Sequence, residues 1–169
     1  FIDDVRVYKP VSPDNPPISF SVTSVTQSGM TINWVDNSTN EDGFRVYISN
    51  DDVNFTQYGS DIESTTQVQT GDDYSQIITG LLPGTTYYFR VSAFVDSESD
   101  FLTGSQATLP PDEIVSIATG NWDDPSTWST STIPSSIDDV TISAGHTVTL
   151  NTSGAFNGLT VDGTLSMQA

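Results

Sequence analysis

Five adjacent aspartate pairs are the first residues of this 169-residue chain whose type and spacing could do chemistry: Asp3-Asp4, Asp51-Asp52, Asp72-Asp73, Asp123-Asp124 and Asp138-Asp139. Calcium takes roughly six to eight oxygens, and neighbouring carboxylates can supply two or more. No Asp-x-Asp-x-Asp-Gly loop is present, and aspartate favours turns on its own account. Most of the pairs therefore read as solvated turn residues. Glycoside hydrolysis needs two carboxyl groups about 5 to 9 Å apart across a cleft. The glutamates are Glu41, Glu63, Glu98 and Glu113, all in turn-like or polar contexts, and nothing in the sequence pairs two of them in a pocket. His146 is the single histidine, too little for a metal site without cysteine or a second imidazole. No Gly-x-Ser-x-Gly elbow supports a serine nucleophile. No catalytic residue is assigned. Trp122 and Trp128 remain as candidate ligand-binding residues, because aromatic faces stack on sugar rings. The competing reading is that they cover the open end of a repeat array, where apolar faces and unpaired edges are otherwise exposed.

Charge narrows the function classes. The formal net charge is −18, and the cations are Arg6, Lys9, Arg45 and Arg90. Nucleic acid binding needs basic side chains to displace condensed counterions, so a phosphate backbone is excluded as a partner. Anionic membrane surfaces are disfavoured for the same reason. No apolar run is long enough for a membrane-spanning helix, so no membrane insertion is expected. The chain opens on Phe1-Ile2-Asp3-Asp4, with neither a basic start nor an apolar signal core. Absence of cysteine rules out disulfides and thiolate chemistry. Hydrophobic residues make up 35% of the chain. Ser and Thr together supply 46 of the 169 residues, an all-β, extracellular flavour.

These residues must be positioned by strands. Val5 and Val7 alternate with Arg6 and Tyr8, followed by Pro10, Pro13, Pro16 and Pro17. A lone strand has no stability of its own. Residues 1–13 therefore read as the last strand and linker of an upstream β-domain, and the chain as a piece of a larger protein. From Ile18 to Pro110, period-two runs follow one another: Ile18/Phe20/Val22, Met30/Ile32/Trp34, Phe44/Val46/Ile48 and Tyr87/Phe89/Val91/Ala93. Turn signals separate them at Ser28-Gly29, Asp42-Gly43, Gly71-Asp72-Asp73 and Pro83-Gly84. About seven short strands in such a span predict a β-sandwich. After Pro110-Pro111 come shorter alternating pairs, Val140/Ile142, Val148/Leu150, Leu159/Val161 and Leu165/Met167, with Gly145, Gly158 and Gly163 between or beside them. Closely spaced short strands suit stacked turns that bury a face only against neighbours. A small second β-sandwich is the alternative.

Specific motifs in these runs resemble known families. Thr31-Ile32-Asn33-Trp34-Val35 and Gly80-Leu81-Leu82-Pro83-Gly84-Thr85-Thr86-Tyr87, with the closing Gln106-Ala107-Thr108-Leu109-Pro110, resemble a fibronectin type III domain. The resemblance implies that Trp34 is core, that Tyr87 is a corner tyrosine whose hydroxyl bonds to nearby backbone, and that Gly84 supplies the permissive turn. Glu41-Asp42-Gly43-Phe44-Arg45-Val46-Tyr47 looks like members found in bacterial multimodular surface proteins. Gly120-Asn121-Trp122 through Gly145-His146-Thr147-Val148-Thr149-Leu150 resembles the opening rungs of a right-handed parallel β-helix. Ile2-Asp3-Asp4-Val5-Arg6-Val7-Tyr8 looks like the final strand of a laminin G-like or concanavalin-like jelly roll. That last likeness makes Asp3 and Asp4 the candidate calcium ligands.

The expected fold class is all-β: a fibronectin type III (immunoglobulin-like) sandwich over 14–110, then a short parallel β-helix-like segment over 111–169. Paired prolines hold semi-rigid spacers, which suits an extended rod projecting from a surface. The expected function is a non-catalytic structural or adhesive segment of a large secreted or cell-surface bacterial protein. An accessory region of a multidomain polysaccharide-degrading enzyme is the alternative. Expected partners are neighbouring domains of the same polypeptide and an extracellular glycan or surface protein. No cofactor is required, structural calcium being the one metal the acidic pairs would suit.

Overall fold

The computed structural model describes residues 11–65 and 69–168 of the chain. The described residues form strands and one short 3-10 turn, with no α-helix. They divide into two compact units, the first running through Leu81 and including Thr85–Thr108, the second comprising Leu82–Gly84 and Leu109–Ala169.

In the first unit the chain forms β1 (Ile18–Thr23), β2 (Gly29–Val35), β3 (Gly43–Ser49), β4 (Thr56–Gln57), β5 (Ile62–Glu63), β6 (Asp73–Thr79), β7 (Thr86–Phe94) and β8 (Leu102–Ala107). One antiparallel sheet has the order β1-β2-β6. The other has the order β4-β3-β7-β8, with β5 also pairing β3. The alternation read from the sequence decides which side chains go inside. Met30, Ile32 and Trp34 of β2, Phe44 and Val46 of β3, Ile78 of β6, and Tyr87, Phe89, Val91 and Ala93 of β7 fill one core. Trp34 meets Phe44 edge-on at 5.9 Å and stacks on Tyr74 at 6.2 Å. Gly84 has φ +58°, a left-handed turn that glycine adopts without steric cost.

The first strand departs from its expected pattern. Phe20 and Val22 pack on the core, whereas Ile18 is exposed. The register with β2 shifts between Ile18 and Ser21, and Ser19 has φ +60°. An irregularity of this kind re-aims the residues before it. Phe20 then stacks on Phe89 at 6.1 Å and lies over Gly104 of β8. A Cβ at Gly104 would run into the Phe20 ring. Glycine at this strand position is thus a packing requirement.

The second unit contains β9 (Glu113–Val115), β10 (Gly120–Asn121), a 3-10 turn (Pro125–Thr127), β11 (Asp139–Ile142), β12 (Thr147–Leu150), β13 (Gly158–Val161) and β14 (Thr164–Met167). The ladders between these strands are parallel, and Ser116 and Trp128 form an isolated antiparallel bridge. One sheet has the order β9-β11-β13, the other β10-β12-β14. Each successive turn of chain lays one strand on each sheet, so Val140 sits between Ile114 and Leu159, and Val148 between Gly120 and Leu165. A small antiparallel second sandwich is therefore not what forms. The interior holds Ile114, Trp122, Trp128, Val140, Ile142 and Val148. Val161 and Met167 of the last turn are exposed. Side chains also staple turn to turn: Thr149 Oγ1 lies 3.0 Å from Ser166 Oγ, and His146 Nδ1 lies 3.0 Å from the Ser116 carbonyl oxygen.

Substituting Gly104→Ala is expected to destabilise the protein by about 1 to 3 kcal/mol, the usual cost of overpacking. Urea denaturation measures it. Adding Phe20→Ala should give a loss smaller than the sum of the two single changes, because both act on one contact.

Candidate functional site

Asp3 and Asp4 lie outside the described residues, as does the strand expected over residues 1–10. Trp122 and Trp128 are 1% and 0% exposed. Their rings meet edge-on at 5.1 Å, and Trp128 Nε1 donates to the Trp122 carbonyl at 2.9 Å. Neither indole has a face open to a sugar; both belong to the interior of the second unit. Their side chains supply volume between the parallel sheets, and the Trp128 N–H, which must be satisfied when buried, is spent inside the unit.

Members of the described aspartate pairs accept hydrogen bonds within the fold, some closing turns and some linking distant segments. Asp51 accepts from Ser49 Oγ, Val53 N, Asn54 N and Asn54 Nδ2 at 2.7 to 2.9 Å. The Asn54 backbone N–H leads in holding its carboxyl well below the ordinary range. Asp124 caps the 3-10 turn through Ser126 N at 2.9 Å and Ser126 Oγ at 2.8 Å, and the Ser126 hydroxyl lowers its pKa first. Asp138 accepts from Ser135 N at 2.8 Å, Asp139 from Asn157 Nδ2 at 2.9 Å, and Asp123 from Asn151 Nδ2 at 2.6 Å. Among the described residues no group of three or more histidine or acidic side chains is placed to hold a metal ion. Ser116 and His146 approach at 2.9 Å, but Ser116 is 2% exposed and its Oγ already accepts from Ser143 N. This pair is structural.

Convergent exposed chemistry lies instead on the outer face of the sheet β4-β3-β7-β8. The registers set residues of neighbouring strands opposite one another in rows, with Ser49 and Ser92 themselves buried. Tyr88 of β7 stands opposite Ser49 and Ser105, and Arg90 stands opposite Tyr47 and Thr103. Arg45 stands opposite Ser92. Arg45 is fully engaged. Its Nε and Nη2 donate to the two Asp61 oxygens, each at 3.0 Å, and Nη1 donates to Glu98 Oε1 at 3.1 Å. Its guanidinium also lies 4.2 Å from the Phe94 ring centroid. The Asp61 hydrogen bond holds the Arg45 pKa above its ordinary value, and Arg45 in turn lowers that of Asp61. Tyr47 donates its hydroxyl to Glu98. Burial, then the Glu98 contact, pushes the Tyr47 phenol up to about 12.

Arg90 is placed differently. Its guanidinium lies 3.7 Å from the Phe55 ring centroid and 5.7 Å from that of Phe101. Asp52, Phe55, Tyr88, Arg90, Thr103 and Ser105 line a concavity of about 400 Å³. Sequence periodicity does not reveal this grouping, because Phe55 and Phe101 come from loops that it does not place. The signal available was Arg90 itself, a cation at an outward position of a strand in an acidic chain.

A second grouping was also missed. Asp36 and Glu41, in the loop between β2 and β3, are 1% and 0% exposed. Asp36 Oδ1 accepts from Ser38 N at 2.9 Å, and Glu41 Oε1 from Ser64 Oγ at 2.6 Å. The other oxygen of each, Asp36 Oδ2 and Glu41 Oε2, has no hydrogen-bond partner among the described residues. Burial first, and the negative charge of Glu41 as a further cause, raise the Asp36 pKa. Sequence gave Glu41 a polar, turn-like context; the loop instead folds it into the interior.

Residues 16–108 match the family described as purple acid phosphatase, N-terminal domain. Fibronectin type III domains are among the solved structures similar to the first unit. A redesigned β-sandwich protein is 24% identical with a TM-score of 0.48, covering 58% of this chain and 93% of that one. A two-domain fibronectin type III segment of chicken tenascin is 19% identical with a TM-score of 0.44, covering 57% and 49%. The sensor domain of an anti-sigma factor from Pseudobacteroides cellulosolvens is 17% identical with a TM-score of 0.43, covering 57% and 98%. No curated protein matches the chain.

Two outcomes follow from the perturbed groups. A phenol raised on folding stabilises the protein fully below its unfolded value near pH 10, and that contribution is lost as pH rises through about 12. Tyrosinate absorbance should therefore show a step near pH 12 that Tyr47→Phe removes. At pH 7 the same change should cost about 1 kcal/mol, a hydrogen bond to a charged group reduced by solvent screening. For Asp36 the sign gives the opposite practical result at neutral pH. Its raised carboxyl favours folding below the unfolded pKa, and that contribution is lost as pH rises through the folded value. Asp36→Asn should raise the melting temperature at pH 7, with the gap closing as pH falls through the carboxylate range. Equal gaps at pH 7 and pH 4 would contradict the assignment.

Proposed function

The chain belongs, through residues 16–108, to the family of the purple acid phosphatase N-terminal domain, and from that membership we propose that it is a non-catalytic spacer segment of a larger extracellular or cell-surface protein. The matched domain is a non-catalytic part of that enzyme, and fibronectin-type sandwiches commonly serve as structural modules. The observation that carries the reading is that two β-units, each with its own apolar interior, follow one another in the chain. Domains with separate cores can hold their folds independently, which is what a spacer under load requires. Pro110-Pro111 at the junction in sequence restricts the connecting backbone. Stacked parallel turns in the second unit support reading it as a β-helix, which grows by adding turns against existing ones.

The net charge of −18 favours solubility and discourages self-association of such segments. Among the described residues no helix is long and apolar enough to cross a membrane. In this reading the partners are neighbouring domains of the same polypeptide and the ligands those domains present. A second reading, an accessory region of a multidomain enzyme, draws support from the family itself, which is named for one domain of an enzyme.

Pulling the chain from its two ends should give two separate unfolding events, one for each unit. A single cooperative rupture would contradict independent spacer units. Hydrolysis of p-nitrophenyl phosphate or of a polysaccharide by the purified chain would overturn the non-catalytic assignment.

A further inference from the structure

We infer that the concavity around Arg90 is a binding subsite for a carboxylated sugar, such as a uronic acid unit of an acidic polysaccharide. The first ground is charge. Of the four cations in the chain, two lie outside the described residues, and Arg45 is committed to Asp61 and Glu98. Arg90 forms no ion pair among the described residues; its recorded contacts are the rings of Phe55 and Phe101. It is thus a cation without an ion-pair partner among the described residues, in a chain whose net charge is −18.

The second ground is geometry. A guanidinium presents five N–H donors in its own plane. Stacking against an aromatic ring uses its face and leaves that edge for an acceptor. A carboxylate meets a guanidinium edge with two parallel hydrogen bonds, which a lone hydroxyl cannot do. The guanidinium carbon lies 3.7 Å from the Phe55 ring centroid, at the wall of an open concavity of about 400 Å³, within the size range of small-molecule sites. Thr103 lies directly across the ladder from Arg90, and Ser105 across from Tyr88.

The third ground is the rest of the lining. The hydroxyls of Tyr88, Thr103 and Ser105 and the carboxylate of Asp52 share the cavity. None of these four side chains has a recorded hydrogen bond within the described structure. Hydroxyls serve as donors and acceptors, and an ionised Asp only accepts. A ligand carrying one carboxylate and several hydroxyl donors matches that set. A sulfate ion would bring acceptors alone against Asp52. Phe101, exposed at 43%, adds an apolar surface beside Arg90 for the C–H face of a sugar ring.

The negative chain also sets a sign for the salt dependence. Its long-range field repels a polyanion, and that repulsion is screened beyond a Debye length of about 10 Å at 0.1 M salt. Contact between Arg90 and a carboxylate is short-ranged and screened less. Affinity should therefore rise as salt increases from about 10 mM to about 150 mM, the reverse of a basic glycan-binding protein.

The test uses the full chain and calorimetric titration with oligogalacturonate, its methyl-esterified form and a neutral glucose oligomer. The acid form should bind at least tenfold more tightly than the other two. Arg90→Gln should remove that preference, Arg90→Lys should retain part of it, and Thr103→Val should weaken binding several-fold. Melting temperatures of the three variants report whether the sandwich is intact, and Arg90→Lys serves should Arg90→Gln fail to fold. Equal binding of acid and ester, undiminished binding by folded Arg90→Gln, or no binding of any probe by the unmodified chain would overturn the inference. The spacer reading stands apart from it, since two unfolding events under load do not depend on a sugar.

Discussion

The pleat of β7 is the constraint on which the first unit depends. This strand pairs on both sides, with β3 and with β8. Its odd-numbered residues Tyr87, Phe89, Val91 and Ala93 fill the core, while Tyr88 and Arg90 face outward. Side-chain direction in a strand has a period of two, so a one-residue slip would exchange the two sets. The apolar interior and the Arg90 cavity are therefore specified by the same register. Burial of four apolar side chains opposes any slip, and the outward chemistry is positioned as a consequence. Gly104 and Phe20 add a second lock, because the ring of β1 occupies the volume that a side chain on β8 would need.

Acidity in this chain has two structural uses and one cost. Exposed aspartates such as Asp51 and Asp124 replace missing backbone partners in turns, accepting N–H groups that would otherwise face only solvent. Asp14 ties its own segment to the following loop by accepting from Ser38 Oγ and Thr39 N at 2.7 and 3.0 Å, and the Ser38 bond lowers its pKa first. The cost appears at Asp36 and Glu41, where the loop buries two carboxylates whose second oxygens have no partner among the described residues. A buried carboxylate is tolerated when hydrogen-bonded and expensive when not. The loop therefore conserves shape at the expense of local stability.

The sequence revealed the inward half of each unit and little of the outward half. Period-two runs identified Met30, Ile32, Trp34, Phe44, Val46, Phe89 and Val91 as core, since hydrophobic burial leaves its pattern in the chain itself. Val140, Ile142 and Val148 were legible for the same reason. β9 and β10 were not, because three- and two-residue strands are too short to show a period. Trp122 and Trp128 illustrate a different limit. Their size marked them as important, but whether an indole packs or binds depends on what the intervening turn places around it. Arg45, Asp61 and Glu98 are far apart in sequence, and no local pattern predicts that one guanidinium will gather both acids.

That contrast is clearest on the outer face of one sheet. The outer face of a sandwich sheet has no volume to fill, so its residues are free of the core's packing demands. On one half of this face, Arg45 is neutralised and held by Asp61 and Glu98, and Glu98 also accepts from the Tyr47 hydroxyl. On the other half, Arg90 meets aromatic rings and hydroxyls. Ring stacking orients a guanidinium without cancelling its charge, whereas a carboxylate does both. One sheet thus carries the same residue type in a closed and an open arrangement, and the difference arises from loop residues, Phe55 and Phe101 in one case and Asp61 and Glu98 in the other. Changes confined to these loops can alter the charge and shape of the face while the β7 register keeps the core unchanged.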